Sequence, residues 1–414
     1  MSTWTKQKLG DVADVFDCPH STPIWADNGY FVVRNYNLSD GRIIREKASY
    51  TDFTTFTSRT KRAVPKQGDS ILSREAPIGQ VGYVNTNDKI CLGQRVVLIK
   101  PKKVDSRYLL YQLISPSIQR QFKQSENSGA TVSNLRIPLI ENTIVQTPDF
   151  SIQKNIASVL SAYDDLIENN EKRIKILEEM AERLYREWFV KFKYPDHEKV
   201  RLIDSGTEYG KIPEGWEVKR LSEVASVVRG CSYSSEEIDD FVGDFYIVNL
   251  KSFNRGGGFR FDGAKYYSGK INDNQKLNTG DIVVAVTDMT TDRAVIARPA
   301  RVPEIAGKIT FSADVVKINS DTLPNNFIYE LLSTYKFTEK TKQMANGANV
   351  LHLKPSAILE FVALIPEKKI LDQFDMLCKS ISAEIDKLLK ANDNLSKTRD
   401  LLIPQLVTGK REVK

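Results

Sequence analysis

One long segment of the chain carries a regular alternation of apolar positions. Between residues 151 and 193 the apolar residues recur at alternating steps of four and three, and neither Gly nor Pro interrupts the segment. A repeat of about 3.5 residues sustained over about four to five heptads predicts a coiled-coil helix. Its predicted seam comprises Ile156, Leu160, Tyr163, Ile167, Asn170, Ile174, Leu177, Ala181, Leu184 and Trp188.

A second helix with the same pattern is predicted at residues 366–408. A shift of 218 residues places its seam at Phe374, Ile381, Ile385, Leu388, Asn392, Leu395, Arg399, Leu402 and Leu406. The match has faults, since Arg399 replaces an alanine of the first seam and Cys378 replaces a leucine. Pro404 is expected to end or kink the helix about a turn before Leu406.

Two seam asparagines predict how the helices pair. If the helices run antiparallel about residue 172, Asn170 lies opposite Asn392, and Ile174 lies opposite Leu388. A polar seam residue costs stability unless it is paired, and a paired one fixes the register. The antiparallel register therefore predicts a hydrogen bond between the two asparagines. Two unrelated asparagines at an exposed position are the alternative.

Shorter patterns predict two mixed α/β halves that repeat one another. Short β-branched runs predict strands at FVVRNY, RVVLIK, FYIVNL, DIVVAV and DVVKIN, while SRYLLYQLIS and NNFIYELLST have helical patterns. Residues 4–15 return as residues 216–227, and SGATVSNLRIPL returns as NGANVLHLKPSA. The offset drifts between 212 and 219 residues, as it does when a duplicated domain has acquired small insertions.

The predicted fold is mixed α/β with two globular halves, at residues 1–150 and 214–365. Two long antiparallel coiled-coil helices, at 151–193 and 366–408, separate the halves, which a pseudo-two-fold axis relates; residues 194–213, rich in Pro, Gly and charge, form a linker. About 40 helical residues span roughly 60 Å, so the helices can act as a spacer. Two similar but non-identical readers on a rigid spacer suit a long two-part ligand such as duplex DNA.

Composition narrows the class of protein. The 414 residues suit two domains, and 41% hydrophobic with 27% charged residues is typical of a soluble protein. No apolar stretch reaches the length of a membrane span, and the N-terminus lacks a signal peptide, so we expect a cytoplasmic protein. The four cysteines lie far apart, which argues against zinc sites and disulfides, and we interpret Cys18 and His20 as loop residues. The net charge of +6 permits a nucleic-acid partner without requiring one.

Several stretches spread along the chain have a distinctive sequence: LSAYDDLIENNEKRIKILEEMAERLYREWF, SREAPIGQVGY, IPEGWEVKRLSEVASVVRG, VNLKSFNRGGGFR, GDIVVAVTDMT and RDLLIPQLVTGK. Together they resemble the specificity subunits of type I restriction-modification systems. The resemblance covers essentially the whole chain. It implies that target recognition domains 1 (1–150) and 2 (214–365) each read one part of a bipartite, asymmetric site on double-stranded DNA, while the helices set the gap.

The resemblance also implies the partners and cofactors. The helices would dock two methyltransferase subunits, and restriction and translocase subunits would join through that methyltransferase core, in the cytoplasm of a bacterium or archaeon. S-adenosylmethionine, ATP and magnesium would belong to those partners. This chain itself would hold no cofactor and no metal.

The chain lacks the motifs of the catalytic alternatives. It has no Pro-Pro dipeptide of an amino-methyltransferase, no P-loop, and its one glycine cluster, RGGGF, lacks the G-x-G-x-x-G spacing. The acidic residues of YPDHEKV crowd together inside the linker, unlike those of a nuclease site. We therefore predict a non-catalytic subunit. A coiled-coil scaffold without a DNA role is the open alternative, and salt-dependent binding of duplex DNA would separate the two.

Base reading needs Arg, Lys, Asn, Gln, Ser or Thr on loops, and further basic residues contact phosphate. In the first half the candidates are Arg34, Asn35, Asn37, Ser73, Arg74, Gln94, Arg95, Asn127, Ser128, Thr131 and Asn134, with Lys61 and Arg62 assigned to phosphate. In the second half they are Asn249, Lys251, Asn254, Arg255, Thr287, Asp288, Thr290, Thr291, Arg293, Asn346, Asn349 and His352. An ordinary loop role is the alternative for each of them.

The halves differ most in these loops, whereas the surrounding pattern repeats. We therefore expect Arg74→Ala to weaken recognition of one half-site only. Two Gly-Asp pairs, Gly68 with Asp69 and Gly280 with Asp281, precede β-branched runs and are predicted to form turns.

Overall fold

The chain folds into two compact units. The computed structural model describes residues 4–45, 48–126, 134–261, 263, 265–290, 293–347 and 350–413. The first unit comprises residues 1–168 together with 394–414, and the second comprises residues 169–393. The first unit is therefore completed by the C-terminal end of the chain.

Most strands and helices of the first unit come from the N-terminal part of the chain. Its strands are β1 (Thr5–Lys8), β2 (Ala13–Asp17), β3 (Trp25–Ala26), β4 (Tyr30–Val33), β5 (Leu38–Ser39), β6 (Arg42–Ile43), β7 (Ser49–Thr51), β8 (Ser70–Ser73), β9 (Val81–Tyr83), β10 (Ile90–Leu92), β11 (Val96–Pro101) and β12 (Ile144–Thr147). Its helices are α1 (Leu9–Val12), α2 (Phe53–Arg59), α3 (Ser106–Ile114), α4 (Pro116–Glu126), α5 (Ile137–Glu141) and the start of α6 (Phe150–Tyr185).

Two four-stranded sheets form the body of the first unit. One has the strand order β2-β11-β8-β9 with antiparallel neighbours, and the other has the order β10-β4-β7-β3, in which β10 and β4 are parallel. Strand β1 pairs with β12, with Thr5 opposite Thr147. The apolar side chains of β4, β8, β10 and β11 are buried between the sheets, which fixes these strands as the core.

The second unit follows in one continuous segment. Its strands are β13 (Leu202–Asp204), β14 (Lys211–Pro213), β15 (Glu217–Arg220), β16 (Ser226–Arg229), β17 (Ile238–Asp239), β18 (Phe245–Val248), β19 (Tyr266–Tyr267), β20 (Ile282–Ala285), β21 (Thr287–Asp288), β22 (Pro299–Arg301), β23 (Lys308–Phe311), β24 (Val315–Asn319), β25 (Leu351–His352) and β26 (Val362–Ile365). Its helices are α7 (Asn325–Ser333), α8 (Tyr335–Lys342), α9 (Pro355–Leu359) and most of α10 (Lys368–Leu406).

The sheets of the second unit repeat those of the first, strand for strand. The orders are β16-β24-β20-β22 and β17-β19-β18-β23, with β18 and β23 parallel. Even the register recurs: Thr5 opposite Thr147 becomes Glu217 opposite Ile365. The strands and the helices α3 and α7 expected from the β-branched and helical runs are thereby confirmed.

The two long helices lie close to their expected bounds. The first, α6, ends at Tyr185 and is followed by a π-helical turn, Arg186–Val190. The second, α10, continues through Pro404 to Leu406, so the expected end before Leu406 was wrong. The last turn of α10 persists because Val407 N still donates to Ile403 O at 3.0 Å. Pro404 therefore removes only the backbone hydrogen bond that its own nitrogen would donate.

The end of a long helix completes each unit. In the first unit the buried Ile403, Leu406 and Val407 belong to the same apolar cluster as α1, α3 and α5, and Gln112 Nε2 donates to Val407 O at 2.8 Å. In the second unit Trp188 and Phe189 are buried against Phe374. The helix ends are therefore parts of the two cores.

Residues 194–213, predicted as a linker, fold as a hairpin of β13 and β14 in the second unit. Tyr194 and Ile212 are buried in that unit's core, and Trp216 beside them is buried as well. All four cysteines are buried and free. Across the described residues, no helix combines the length and apolar character that a membrane span requires.

Candidate DNA interface

A 3-10 turn, Asn35–Asn37, follows strand β4, and Arg34 precedes it. Three predicted DNA contacts lie here: Arg34, Asn35 and Asn37. Asn37 is buried: its Oδ1 accepts a hydrogen bond from the Arg34 backbone N–H at 3.0 Å, and its Nδ2 donates to Ile44 O at 3.0 Å. Asn35 Nδ2 donates to Ala76 O at 2.6 Å. These local bonds fix the backbone of the turn. Tyr36 remains exposed, and Arg34 is half-buried.

The equivalent turn of the second unit, Leu250–Ser252, follows strand β18. Ser252 is buried, and its Oγ accepts a hydrogen bond from the Asn249 backbone N–H at 3.2 Å. Asn249 Oδ1 in turn accepts one from the Lys251 backbone N–H at 2.8 Å. In both units, therefore, the side chain of the last turn residue accepts a hydrogen bond from the backbone N–H of the residue that precedes the turn. The side chains that the turns display differ, with Lys251 exposed where the first unit has Tyr36.

Two Gly-Asp turns also recur, as predicted. Asp69 Oδ2 accepts from Lys66 N and Asp281 Oδ2 accepts from Asn278 N, both at 2.8 Å. Gly68 and Gly280 have φ angles of 98° and 87°, in the left-handed region that favours glycine. Their role as turn formers is confirmed.

Arg74, at the end of β8, is committed to the interior of the first unit. Its Nη1 lies 2.7 Å from Asp17 Oδ1, and its Nη2 donates to Asn134 Oδ1 at 3.0 Å. Asn134 Nδ2 donates onward to Glu75 Oε1 at 3.0 Å. Only 8% of Arg74 is exposed, so this network joins β2, β8 and the segment before α5.

Asp288 has a corresponding structural role in the second unit. Its carboxylate accepts hydrogen bonds from the backbone N–H groups of Thr290, Val295 and Ile296 at 2.6, 2.7 and 2.9 Å. Burial alone would raise the pKa of Asp288, but these hydrogen bonds outweigh it and hold the pKa below its usual range. The carboxylate therefore fastens the loop that follows β21 instead of facing a ligand.

The predicted contacts fall into three groups. Buried side chains that hydrogen-bond or pack inside the turns are Asn37, Ser73, Arg74, Asn249, Thr287 and Asp288. These six hold the loops in place, because burial of a polar group requires partners within the fold. Exposed or half-buried ones, which stay predicted contacts, are Arg34, Asn35, Lys61, Arg62, Gln94, Arg95, Asn134, Lys251, Asn254, Arg255, Thr290, Arg293, Asn346 and His352. Asn127, Ser128, Thr131, Thr291 and Asn349 lie outside the described residues.

The predicted seam positions of both long helices are buried or half-buried throughout. In the second unit Asn170 Nδ2 donates to Asn392 Oδ1 at 2.8 Å, which confirms the expected contact. Arg173 lies 2.9 Å from Glu384, so positions on α10 decrease as positions on α6 increase. The segments of α6 and α10 within this unit therefore run in opposite directions.

A charged pair joins the same helices within the first unit. Arg399 Nη1 lies 2.6 Å from Asp164 Oδ1, and Tyr111 Oη donates to the other oxygen of Asp164 at 2.5 Å. Burial lowers the pKa of Arg399, but Asp164 and Asp400 more than offset it and raise the pKa above its ordinary value. Arg399, which replaces an alanine of the first seam, is thus accommodated by an ion pair.

In the part of the chain that the structure describes, no group of three or more His, Cys, Asp or Glu side chains could hold a metal ion. Cys18 is buried, whereas His20 is exposed and lies 3.2 Å from Asp17.

Comparison with known proteins finds relatives of one kind. A model of the type I restriction modification DNA specificity domain matches residues 1–179. The chain is 28% identical over 354 residues to the type I restriction enzyme MjaIX specificity subunit of Methanocaldococcus jannaschii, covering 85% of this chain and 79% of that one. It is 22% identical over 481 residues to the HindI specificity subunit of Haemophilus influenzae, covering 99% and 100%. These matches support a specificity subunit of a type I restriction-modification system. Such subunits are non-catalytic.

A solved structure has a similar fold. The crystal structure of the type I S subunit from M. genitalium aligns with a TM-score of 0.53 at 14% identity, covering 100% of this chain and 97% of that one. At this identity the likeness concerns the fold alone.

The sequence reasoning missed two aromatic residues at the first turn. Trp25 and Tyr36 are 44% and 42% exposed, and the guanidinium of Arg34 lies over both rings. Tyr36 stands within the RNYN motif, so an aromatic flanked by polar and basic residues was the available signal. Trp25 is distant in sequence, and only the fold brings it there.

Proposed function

We propose that each unit of this specificity subunit reads one half of a bipartite, asymmetric site on double-stranded DNA. The observation that carries the proposal is the pair of turns at 34–37 and 249–252. The two units share the strand order, and the two turns share the capping hydrogen bond, while the side chains that the turns display differ. A constant frame that presents different donors and acceptors is what two different half-sites require.

The long helices set the gap between the half-sites in this proposal. The pairing of Asn170 with Asn392 supports it, because a paired polar residue in an apolar seam fixes the register of two helices. An antiparallel coiled coil would relate the two units by a pseudo-two-fold axis. Any slip of the register would then change the gap.

The helices also dock two methyltransferase subunits, through which restriction and translocase subunits join. S-adenosylmethionine, ATP and magnesium act in those partners, and this chain contributes recognition without catalysis. The complex works in the cytoplasm.

The decisive experiment is methylome sequencing. The chain is expressed with its methyltransferase subunit in a host without adenine modification, and methylated positions are mapped. We expect one motif with two separate parts and a fixed gap. A continuous motif, or methylation without sequence preference, would contradict the proposal.

A second measurement separates DNA reading from a scaffold role. The purified complex is titrated with duplex DNA at several salt concentrations. A reader loses affinity as salt rises, since phosphate contacts release counterions. A scaffold without a DNA role would not bind the duplex at any of these concentrations.

A further inference from the structure

The guanidinium of Arg34 lies over two aromatic rings. The guanidinium carbon lies 4.7 Å from the ring centroid of Tyr36 and 5.3 Å from that of Trp25. Cation–π attraction at these distances holds the guanidinium beside the two rings. A ring face offers no strong hydrogen-bond acceptor, so these contacts leave the guanidinium N–H donors available to a ligand.

Neighbouring residues hold Arg34 and Tyr36 in place. Tyr36 Oη lies 3.3 Å from Ser49 Oγ, and Asn35 anchors the turn to Ala76. Gly93 lies directly under the stem of Arg34, since a Cβ built on Gly93 would come within 2.7 Å of Arg34 Cγ. The side chain is therefore pre-positioned before any ligand arrives, which lowers the entropy cost of binding.

Two other arginines of the first unit, Arg59 and Arg74, use their donors within the fold. Arg59 donates to the carbonyl oxygens of Leu92, Ser21 and Pro19, and Arg74 pairs with Asp17. Among the described residues, no hydrogen bond or ion pair engages the Arg34 guanidinium. A pre-positioned, half-buried arginine whose donors are unused by the fold is suited to a planar partner with two acceptors.

We propose that Arg34 reads a guanine of the first half-site, donating two parallel hydrogen bonds to O6 and N7 in the major groove. Guanine is the base that presents two acceptors side by side on that edge. Trp25 and Tyr36 act as positioning residues. The inference rests on the proposed function, and it names a base pair that the first unit recognises.

The second unit is not expected to read guanine in this way. Asn249 occupies the position of Arg34, but it is buried and its Oδ1 is used by the backbone N–H of Lys251. The two half-sites should therefore differ at the base pair that faces this turn.

The test is methylome sequencing of the complex with Arg34→Ala, compared with wild type. We expect one G·C pair of one half-site to become degenerate, with discrimination there reduced about fivefold to a hundredfold, since a bidentate pair contributes about 1–3 kcal/mol. The other half-site and the gap should not change. Lys251→Ala is the matched variant in the second unit, and its effect should fall on the other half-site.

The positioning role has its own readout. Trp25→Ala should lower discrimination at the same G·C pair although Arg34 is intact, and Trp25→Phe should restore most of it. Equal loss of fold stability in Trp25→Ala and Trp25→Phe, with no change at the G·C pair, would show that Trp25 is only structural and would overturn the positioning role.

Three results would overturn the proposal for Arg34. One is a wild-type half-site without a required G·C pair. Another is an unchanged motif in a folded Arg34→Ala complex. The third is uniform weakening on all sequences with the salt slope reduced by about one, which marks a phosphate contact. Absence of any bipartite motif in wild type would instead contradict the proposed function, so the two failures are distinguishable.

Discussion

The two units of the molecule share a backbone but satisfy their buried polar groups by different chemistry. Arg74 and Val286 occupy equivalent positions: the Arg74 carbonyl accepts from Leu135 N at 2.9 Å, and the Val286 carbonyl accepts from Leu353 N at 2.8 Å. One side chain forms a buried ion pair and the other is apolar. At these equivalent positions the two units keep the same main-chain hydrogen bond, whereas the buried side-chain contacts differ between the units.

The largest effect is expected at the ion pair of the first unit. Arg74→Ala removes the buried partner of Asp17 and leaves a carboxylate that is only 21% exposed, with the exposed His20 as its neighbour at 3.2 Å. Breaking a buried pair from one side costs about 3–5 kcal/mol. We expect a lower unfolding midpoint in thermal and denaturant melts, and any loss of DNA recognition in the first half-site would follow from this instability.

Two variants sharpen this result. Arg62→Ala, at an exposed arginine in the same unit, should change stability by less than about 0.5 kcal/mol. The double variant Asp17→Ala with Arg74→Ala should be less destabilised than the sum of the single variants, because no charge is left unpaired. Wild-type stability in Arg74→Ala together with a relaxed first half-site would instead mean that Arg74 reads DNA.

A second difference between the units lies on equivalent helices. Tyr111 of α3 donates to Asp164, whereas α7 places Glu330 at the matching position, 7% exposed. Burial, and then the nearby carboxylates of Glu182 and Glu178 on α6, raise the pKa of Glu330 from its ordinary 4.5 to about 8. On α10, burial and then the nearby carboxyl groups of Glu330 and Asp375 raise the pKa of the Cys378 thiol.

This pKa shift makes stability depend on pH. The folded chain holds the proton up to about pH 8, whereas the unfolded chain releases it near pH 4.5. The stabilisation is therefore complete below about pH 4.5, declines as pH rises towards 8, and then levels off. Glu330→Gln should abolish this decline and stabilise the chain at pH 8 by on the order of 4 kcal/mol.

The measurement is a series of unfolding midpoints between pH 5 and pH 9 for wild type and Glu330→Gln. Glu360→Gln, at an exposed glutamate of the same unit, is the control and should follow wild type. Parallel curves for wild type and Glu330→Gln would show that Glu330 is ionised at neutral pH.

The sequence predicts the frame better than the displayed surface. Heptad spacing located α6 and α10, and the internal repeat located the strand pairs, because both depend on periodic burial. The Asn170 to Asn392 contact was predictable because the repeat supplied a register. By contrast, residue type alone could not separate buried Arg74 from half-buried Arg34, since both are arginines in polar loops. What separates them is the position of Asp17 and Trp25, and only the fold determines that.

The smallest of these effects concerns the hydrogen-bonded pair of Asn170 and Asn392. Asn170→Leu leaves the Asn392 side chain without its partner, at a cost of about 1–3 kcal/mol. Replacing both residues with leucine removes the unsatisfied group, so the double variant should recover stability. The double variant should also lose the polar contact that fixes the register, because an all-apolar seam allows the two helices to pair in shifted registers.

Methylome sequencing of the double variant with its methyltransferase subunit then reports the register directly. We expect the same two half-sites with more than one gap length, at stability equal to or above wild type. A single unchanged gap would mean that other contacts fix the register, and the Arg173 to Glu384 pair, at 50% and 38% side-chain exposure, is too solvated to do so alone. The register would then have to come from the cores that the helix ends complete.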